Sequence, residues 1–141
     1  MRGTGFMLDA RLEADTHRVT SLPLCDVLLM NDARFPWLIL VPHRAGLVEI
    51  ADLPEEAQAT LWQELNQAAA ALRDVAPCDK LNLGALGNIV RQLHVHVVAR
   101  REGDAAWPGP VWGSGPAEPY ATAVLDDLLQ RLRAALEVPA N

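Results

Sequence analysis

The residues best equipped for chemistry stand in the stretch Gln92-Leu93-His94-Val95-His96-Val97-Val98, where two of the chain's four histidines sit two positions apart in a β-branched apolar run. In an extended strand side chains alternate faces, so Leu93, Val95, Val97 and Ala99 share one surface while Gln92, His94 and His96 line the other. Same-face neighbours lie roughly 7 Å apart along a strand, close enough for two imidazoles to meet one small anionic group or one metal ion. Three readings follow. The pair can be half-exposed strand histidines without a role. It can be part of a metal site, which needs a third ligand, with His17 and His43 as the candidates. Or one neutral imidazole can attack phosphorus or carbon while its neighbour handles charge on the substrate, a chemistry suited to a ring whose ordinary pKa is ~6.5.

The elements that must position this pair can be read from the rest of the chain. Residues 6–15, with Phe6, Leu8 and Leu12 among Asp9, Glu13 and Asp15, suggest a short amphipathic turn or helix. Thr16–Ser21 is β-prone, Pro23 resets the chain, and Leu24–Asn31 has the character of a buried strand. Turn residues Asn31–Arg34 lead to Trp37–Val41, so the two apolar runs suggest an antiparallel hairpin. From Pro54 the period changes toward 3.6: proline and two glutamates open a helix, Leu61, Leu65, Ala69 and Leu72 recur on one face, and Pro77 ends it. Ala68–Ala71 permits close approach to a sheet. Asp79–Ala85 predicts a third strand, with Gly84 and Gly87 bracketing a tight connection to the histidine strand.

Beyond Arg101 a stretch rich in Gly, Pro and Trp runs to Pro119, too long and proline-rich for regular structure, and is expected to be a surface loop with some job. Trp107 and Trp112 within it either stack on a ligand or anchor the loop to the body. Trp37 and Trp62 are assigned to the core. Tyr120–Glu137 closes the chain as a helix with Leu125, Leu128, Leu129, Leu132 and Leu136 as its buried stripe. The order predicts an α+β fold, an antiparallel sheet covered on one face and open on the other, with the histidines on the open side.

Composition narrows the function classes. With 141 residues, 50% of them hydrophobic and 21% charged, the chain suits one domain over residues 1–141. A net charge of -6 argues against binding duplex nucleic acid, which needs basic surface to displace counterions. Apolar runs such as Leu38–Pro42 fall far short of the ~20 residues that span a bilayer, so no membrane partner is expected. Met1–Gly5 does not resemble an export signal. Cys25 and Cys78 are far apart with no CxxC pair, which indicates neither a disulfide framework nor a cysteine-type zinc site and suits a reducing cytoplasm.

The stretch Gly87-Asn88-Ile89-Val90-Arg91-Gln92-Leu93-His94-Val95-His96-Val97-Val98 resembles the signature of the histidine triad (HIT) family of nucleotide hydrolases and nucleotidyltransferases. That signature is H-φ-H-φ-H-φ-φ, with φ apolar, preceded by a Gly-Gln-x-Val-like loop. Asn31 before a strand ending Val41-Pro42, then a helix opened by Leu53-Pro54-Glu55-Glu56, extends the resemblance over about residues 20–102, leaving 103–141 as a C-terminal loop and helix. The first triad position is Gln92 and not histidine. The resemblance implies about five antiparallel strands with a long central helix and a C-terminal helix, a homodimer paired across a continuous sheet, and a nucleotide beside the triad; no obligatory metal or other cofactor is expected.

By position, the resemblance makes His94 the nucleophile at the α-phosphate of a nucleoside phosphate, phosphoramidate or dinucleoside polyphosphate, forming a nucleotidyl-histidine. It makes His96 a donor to the phosphate or leaving-group oxygen, Asn88 and Gly87 part of the phosphate-binding loop, Asn31 a polar residue near the ribose, and Asn82 a weaker phosphate contact. Glutamine can donate and accept hydrogen bonds but cannot relay a proton at neutral pH, so Gln92 should alter the leaving-group preference while it or a backbone carbonyl still orients His94. A nucleotide-binding module that has lost turnover is the alternative, and a metal-dependent hydrolase a weaker third. His43, Arg44 and Arg91 are either further phosphate contacts or plain surface charge.

Overall fold

The computed structural model describes residues 5–137; of the first five residues, read above as no export signal, only Gly5 is among them. A short helix α1 (Ala10–Asp15) leads into strand β1 (Thr16–Ser21), followed by β2 (Cys25–Met30), β3 (Trp37–Pro42), helix α2 (Glu55–Val75), β4 (Lys80–Gly84), β5 (Val95–Arg100) and helix α3 (Thr122–Ala135). The five strands form one sheet in the order β1-β2-β3-β5-β4, and every neighbouring pair is antiparallel. This is the α+β architecture expected from the sequence.

Local chemistry explains most of the boundaries. Pro54 immediately precedes α2 with φ −56°, Glu55 and Glu56 occupy its first turn, and Ala76, driven out of the helical region ahead of Pro77, stops it. The α2 stripe of Ala57, Leu61, Leu65, Ala68, Ala69 and Leu72 packs with Leu129, Leu132 and Leu136 of the C-terminal segment on one side of the sheet. Val95, Val97 and Ala99 of β5, with Leu93 just before it, belong to that cluster, as strict alternation requires. Glu64 is buried on the same helix because its carboxylate takes the backbone N–H groups of Leu24 (2.9 Å) and Cys25 (2.8 Å), tying α2 to the start of β2.

Three expectations are corrected. The second face of the sheet is not open: Leu28, Phe35, Trp37, Ile39 and Val98 are buried there beneath Leu12 from α1 and Val111 from the 101–119 loop. The histidine strand starts at Val95, so Gln92–His94 form its approach, and residues 85–94 make a broad loop in place of a tight connection. Trp62 lies on the outer surface of α2, 56% exposed, whereas Trp37 is buried as expected.

Candidate active site

On the second face a cavity of about 670 Å³ opens beside both histidines, within the ~300–1,000 Å³ common for small-molecule sites. Three stretches distant in sequence wall it. The end of β2 and its turn bring Asn31, Asp32 and Arg34; the 85–94 loop brings Gly87 and Asn88; the C-terminal loop brings Trp112. Gly87 adopts φ +74°, a conformation a side chain strongly disfavours, and so lets the loop turn its backbone toward the cavity.

His94 is aimed by the main chain. Its Nδ1 lies 2.6 Å from the carbonyl oxygen of Gln92. A carbonyl only accepts, so Nδ1 carries the proton and donates, and in that tautomer the lone pair is on Nε2. The Gln92 side chain is occupied elsewhere: its Oε1 accepts from the Asp9 N–H (2.9 Å) and its Nε2 donates to the Met7 carbonyl (2.8 Å). Position 92 therefore orients His94 through its backbone while its amide holds the N-terminal segment against the motif.

His96 sits among three rings, with His94 at 4.9 Å, Trp112 at 5.4 Å and Trp37 at 5.7 Å between centroids. The indole Nε1–H of Trp37 donates to His96 Nδ1 at 3.0 Å. Burial first, and the neighbouring His94 ring second, pull the His96 pKa down to about 3, so the ring is neutral at ordinary pH. Among the described residues no hydrogen bond engages Nε2 of either histidine, and both rings line the cavity.

The C-terminal loop is fastened at both ends. Arg100, 1% exposed, forks onto Asp104 through Nε and Nη2 (2.8 and 2.9 Å) and donates through Nη1 to Asn82 Oδ1 (2.9 Å). The bonds from Arg100 outweigh burial and hold the Asp104 carboxyl down to about 2. At the far end Arg34 forks onto Asp32 (3.0 and 2.8 Å) and donates to the carbonyls of Ser114 and Gly115 (3.2 and 3.3 Å). Burial alone would raise the Asp32 carboxyl, but the bonds from Arg34 and from the Glu118 N–H keep it below the usual range. Between these anchors Trp112 reaches over His96 and rests on Gly84, the residue paired with His96 across the sheet; a Cβ there would stand 3.1 Å from the indole.

The sequence-predicted residues thus divide. His94, His96, Asn31, Asn88 and Gly87 come together around one cavity. Asn31 gives its oxygen to the Tyr120 N–H (3.1 Å), so its NH₂ is the end left for a ligand acceptor. Asn82 is outside the cavity, on β4 beside Val98 with its oxygen taken by Arg100, because register sends its side chain toward the loop anchor. His43 is buried, not surface charge, and donates its Nε2–H to the Leu22 carbonyl (3.1 Å); Arg44 and Arg91 are exposed outside the cavity. No three His, Cys, Asp or Glu side chains among the described residues are grouped to hold a metal ion. Of the loop tryptophans, Trp112 joins the cavity whereas Trp107 covers Arg100 at 5.6 Å. Sequence reasoning missed Asp32, Arg34 and the Trp37–His96 bond. The Asp-x-Arg spacing in the turn was the available signal for the first two; nothing local marked the third.

Comparison with known proteins gives a consistent result. The model for the HIT domain matches residues 11–103. A histidine triad (HIT) protein from Sinorhizobium meliloti 1021 is 52% identical, with a TM-score of 0.91, covering 94% of this chain and 98% of that one. A histidine triad protein from Bradyrhizobium japonicum is 46% identical with a TM-score of 0.91 over 94% of this chain and 98% of its own. One from Marinobacter aquaeolei VT8 is 46% identical with a TM-score of 0.90 over 93% and 96%. No curated protein matches the sequence. No helix among the described residues is long and apolar enough to cross a membrane.

Proposed function

The chain belongs to the HIT domain family, and from that premise we propose that it is a nucleotidyl hydrolase or transferase working through a nucleotidyl-histidine intermediate. Membership carries the coarser statement, a function of the nucleotide-binding and hydrolase type; the mechanism rests on one observation above the others. His94 Nδ1 is committed to the Gln92 carbonyl, so the nucleophilic lone pair stands on Nε2 beside the cavity. A buried imidazole held in one tautomer and one orientation meets the α-phosphorus without first reorganising.

The remaining groups fit a charged phosphoryl centre. His96 Nε2–H, the Asn88 amide and backbone N–H groups of the 85–94 loop can surround the phosphate oxygens with donors. The Arg34 guanidinium at the cavity wall is neutralised by Asp32, so the site's stabilisation of an anion comes mainly from oriented dipoles. The Asn31 NH₂ suits a ribose oxygen. Attack forms the Nε2–P bond, the leaving group departs, and water or another acceptor releases the nucleotide. Substrates proposed on this reading are nucleoside phosphates, phosphoramidates or dinucleoside polyphosphates, with no obligatory metal.

The test is direct. Incubation with a dinucleoside polyphosphate or a nucleoside phosphoramidate, acid quenching and intact mass measurement should reveal a nucleotidyl adduct that His94→Ala abolishes together with turnover. Unchanged turnover in His94→Ala defeats the reading. The non-histidine at position 92 motivates a second one, a nucleotide-binding module without turnover, which predicts nucleotide-dependent thermal stabilisation and no product from either substrate. We also propose a homodimer, motivated by the sheet-edge position of β4 with Leu83 42% exposed and by Trp62 exposed on α2, and a cytoplasmic address suited to the free thiols of Cys25 and Cys78. A monomer mass in light scattering, or recovery in an extracytoplasmic fraction, would refute the respective claim.

A further inference from the structure

The bond from Trp37 to His96 restricts what His96 can do. An indole N–H only donates, so His96 Nδ1 must present its lone pair, and the single proton of the neutral ring is on Nε2. Turning the ring over would set a C–H against the Trp37 N–H, and the rings of His94, Trp112 and Trp37 packed around it oppose that rotation. In this state His96 can give a hydrogen bond to an oxygen that gains charge. It cannot give the proton away, because the product would be an imidazolate that Trp37 has no means of recharging.

Among the described residues that line the cavity, no other group takes over as acid. The proton on His94 Nδ1 points at the Gln92 carbonyl, and the Gln92 amide holds no titratable proton and is spent on Met7 and Asp9. Asp32 is held ionised by Arg34, and Arg34 is bound to Asp32 and two carbonyls. Asp15, the remaining charged residue among those lining the cavity, is exposed to solvent, and its carbonyl accepts from the Asn31 N–H at 3.0 Å.

We propose that Trp37 is a positioning residue that fixes His96 as a neutral Nε2–H donor, and that the chain therefore acts on nucleotide phosphoanhydrides in preference to nucleotide phosphoramidates. The proposal rests on the nucleotidyl-histidine reading and narrows its substrate class. In an anhydride, the His94 Nε2 lone pair forms the P–N bond and the electron pair of the broken P–O bond leaves on the departing oxygen, which needs no proton. In a phosphoramidate the departing nitrogen must gain one, and the site has none to give. In the second step a water oxygen bonds phosphorus, the P–N pair returns to His94 Nε2, and the proton of water passes to solvent.

The experiment uses the full chain with matched substrates, the dinucleoside tetraphosphate and the alkylamine 5′-phosphoramidate of adenosine and of guanosine, together with long-range ¹H–¹⁵N spectra of the imidazoles from pH 5 to 9. The expected kcat/KM favours the anhydride by at least about 100-fold, the lower end of what a general acid contributes. His96 should show one protonated nitrogen, Nε2, across the whole range. Trp37→Phe keeps an aromatic ring and removes the donor: the His96 signals should move to an exchange average of two tautomers, with kcat on the anhydride down about tenfold and KM little changed.

Phosphoramidate cleaved within about threefold of the anhydride, with an adduct on His94, overturns the preference and leaves the parent reading intact. A proton on His96 Nδ1 in the wild type, or unaltered spectra in Trp37→Phe, overturns the positioning role. No turnover of either substrate overturns the parent reading and the preference together, while the spectra still decide the tautomer.

Discussion

Acidification from pH 8 to 5 should cost the native state about 2 kcal/mol through His96 alone. The ring is 7% exposed, its Nδ1 is bonded to Trp37, and its pKa in the folded chain is lowered to about 3, against ~6.5 for an unhindered imidazole. Between those values the unfolded chain binds one proton more than the folded chain. Stability therefore falls as pH falls, by about 1.4 kcal/mol per pH unit for one proton. The contribution is fully present above ~6.5 and is lost progressively toward 3. His96→Asn is the matched control, since an asparagine oxygen can take the Trp37 N–H in place of Nδ1 and does not titrate. Urea unfolding followed by tryptophan fluorescence would be run on both proteins at intervals from pH 8 to 5. The other histidines and the carboxylates are common to both chains and cancel in the difference. That difference should be level above pH 7 and shrink by about 2 kcal/mol at pH 5. A difference constant to within about 0.5 kcal/mol would mean that His96 accepts a proton in the folded state, refuting the neutral-donor argument and its consequence for leaving groups.

Gln92→Ala removes both amide bonds to the N-terminal segment and retains the residue-92 carbonyl that aims His94; unfolding free energy should drop by about 1–2 kcal/mol while the nucleotidyl adduct still forms, and a folded variant without adduct would place the side chain in the chemistry. Arg100→Leu leaves Asp104 and Asn82 without their partner and should destabilise the fold by about 3 kcal/mol in urea titrations, with susceptibility to proteolysis rising first in 101–119. Gly84→Ala sets a Cβ 3.1 Å from the Trp112 ring, so the indole must shift by a few tenths of an ångström against His96. Nucleotide affinity should fall severalfold for a stability cost of about 1 kcal/mol or less, measured by fluorescence titration and thermal unfolding; equal affinity would show that the indole yields away from the cavity.

Much of this protein was legible before folding was considered. The alternation around His94 and His96 is a property of extended backbone, so the division of Leu93, Val95, Val97 and Ala99 from the histidines followed from local geometry and is what the core contains. Pro54, Pro77 and the leucine spacing bounded α2 for equally local reasons. The exposure of Trp62 is not legible in the sequence because aromatic character says nothing about which side of a helix meets the sheet, nor is the place of Asn82, because the partner of a strand residue depends on register with a strand from elsewhere in the chain.

The local sequence thus decided which residues could do chemistry and how they alternate, because φ, ψ preferences and side-chain periodicity act over a few residues. Only the tertiary structure decided the state in which they do it. Trp37 lies on β3, paired antiparallel with β5, and Trp112 arrives on a loop pinned by Arg100 and Arg34; together they bury His96, choose its tautomer and hold it neutral. Desolvation and hydrogen-bond direction are set by whatever atoms surround a group, and those atoms come from parts of the chain that meet only when it folds.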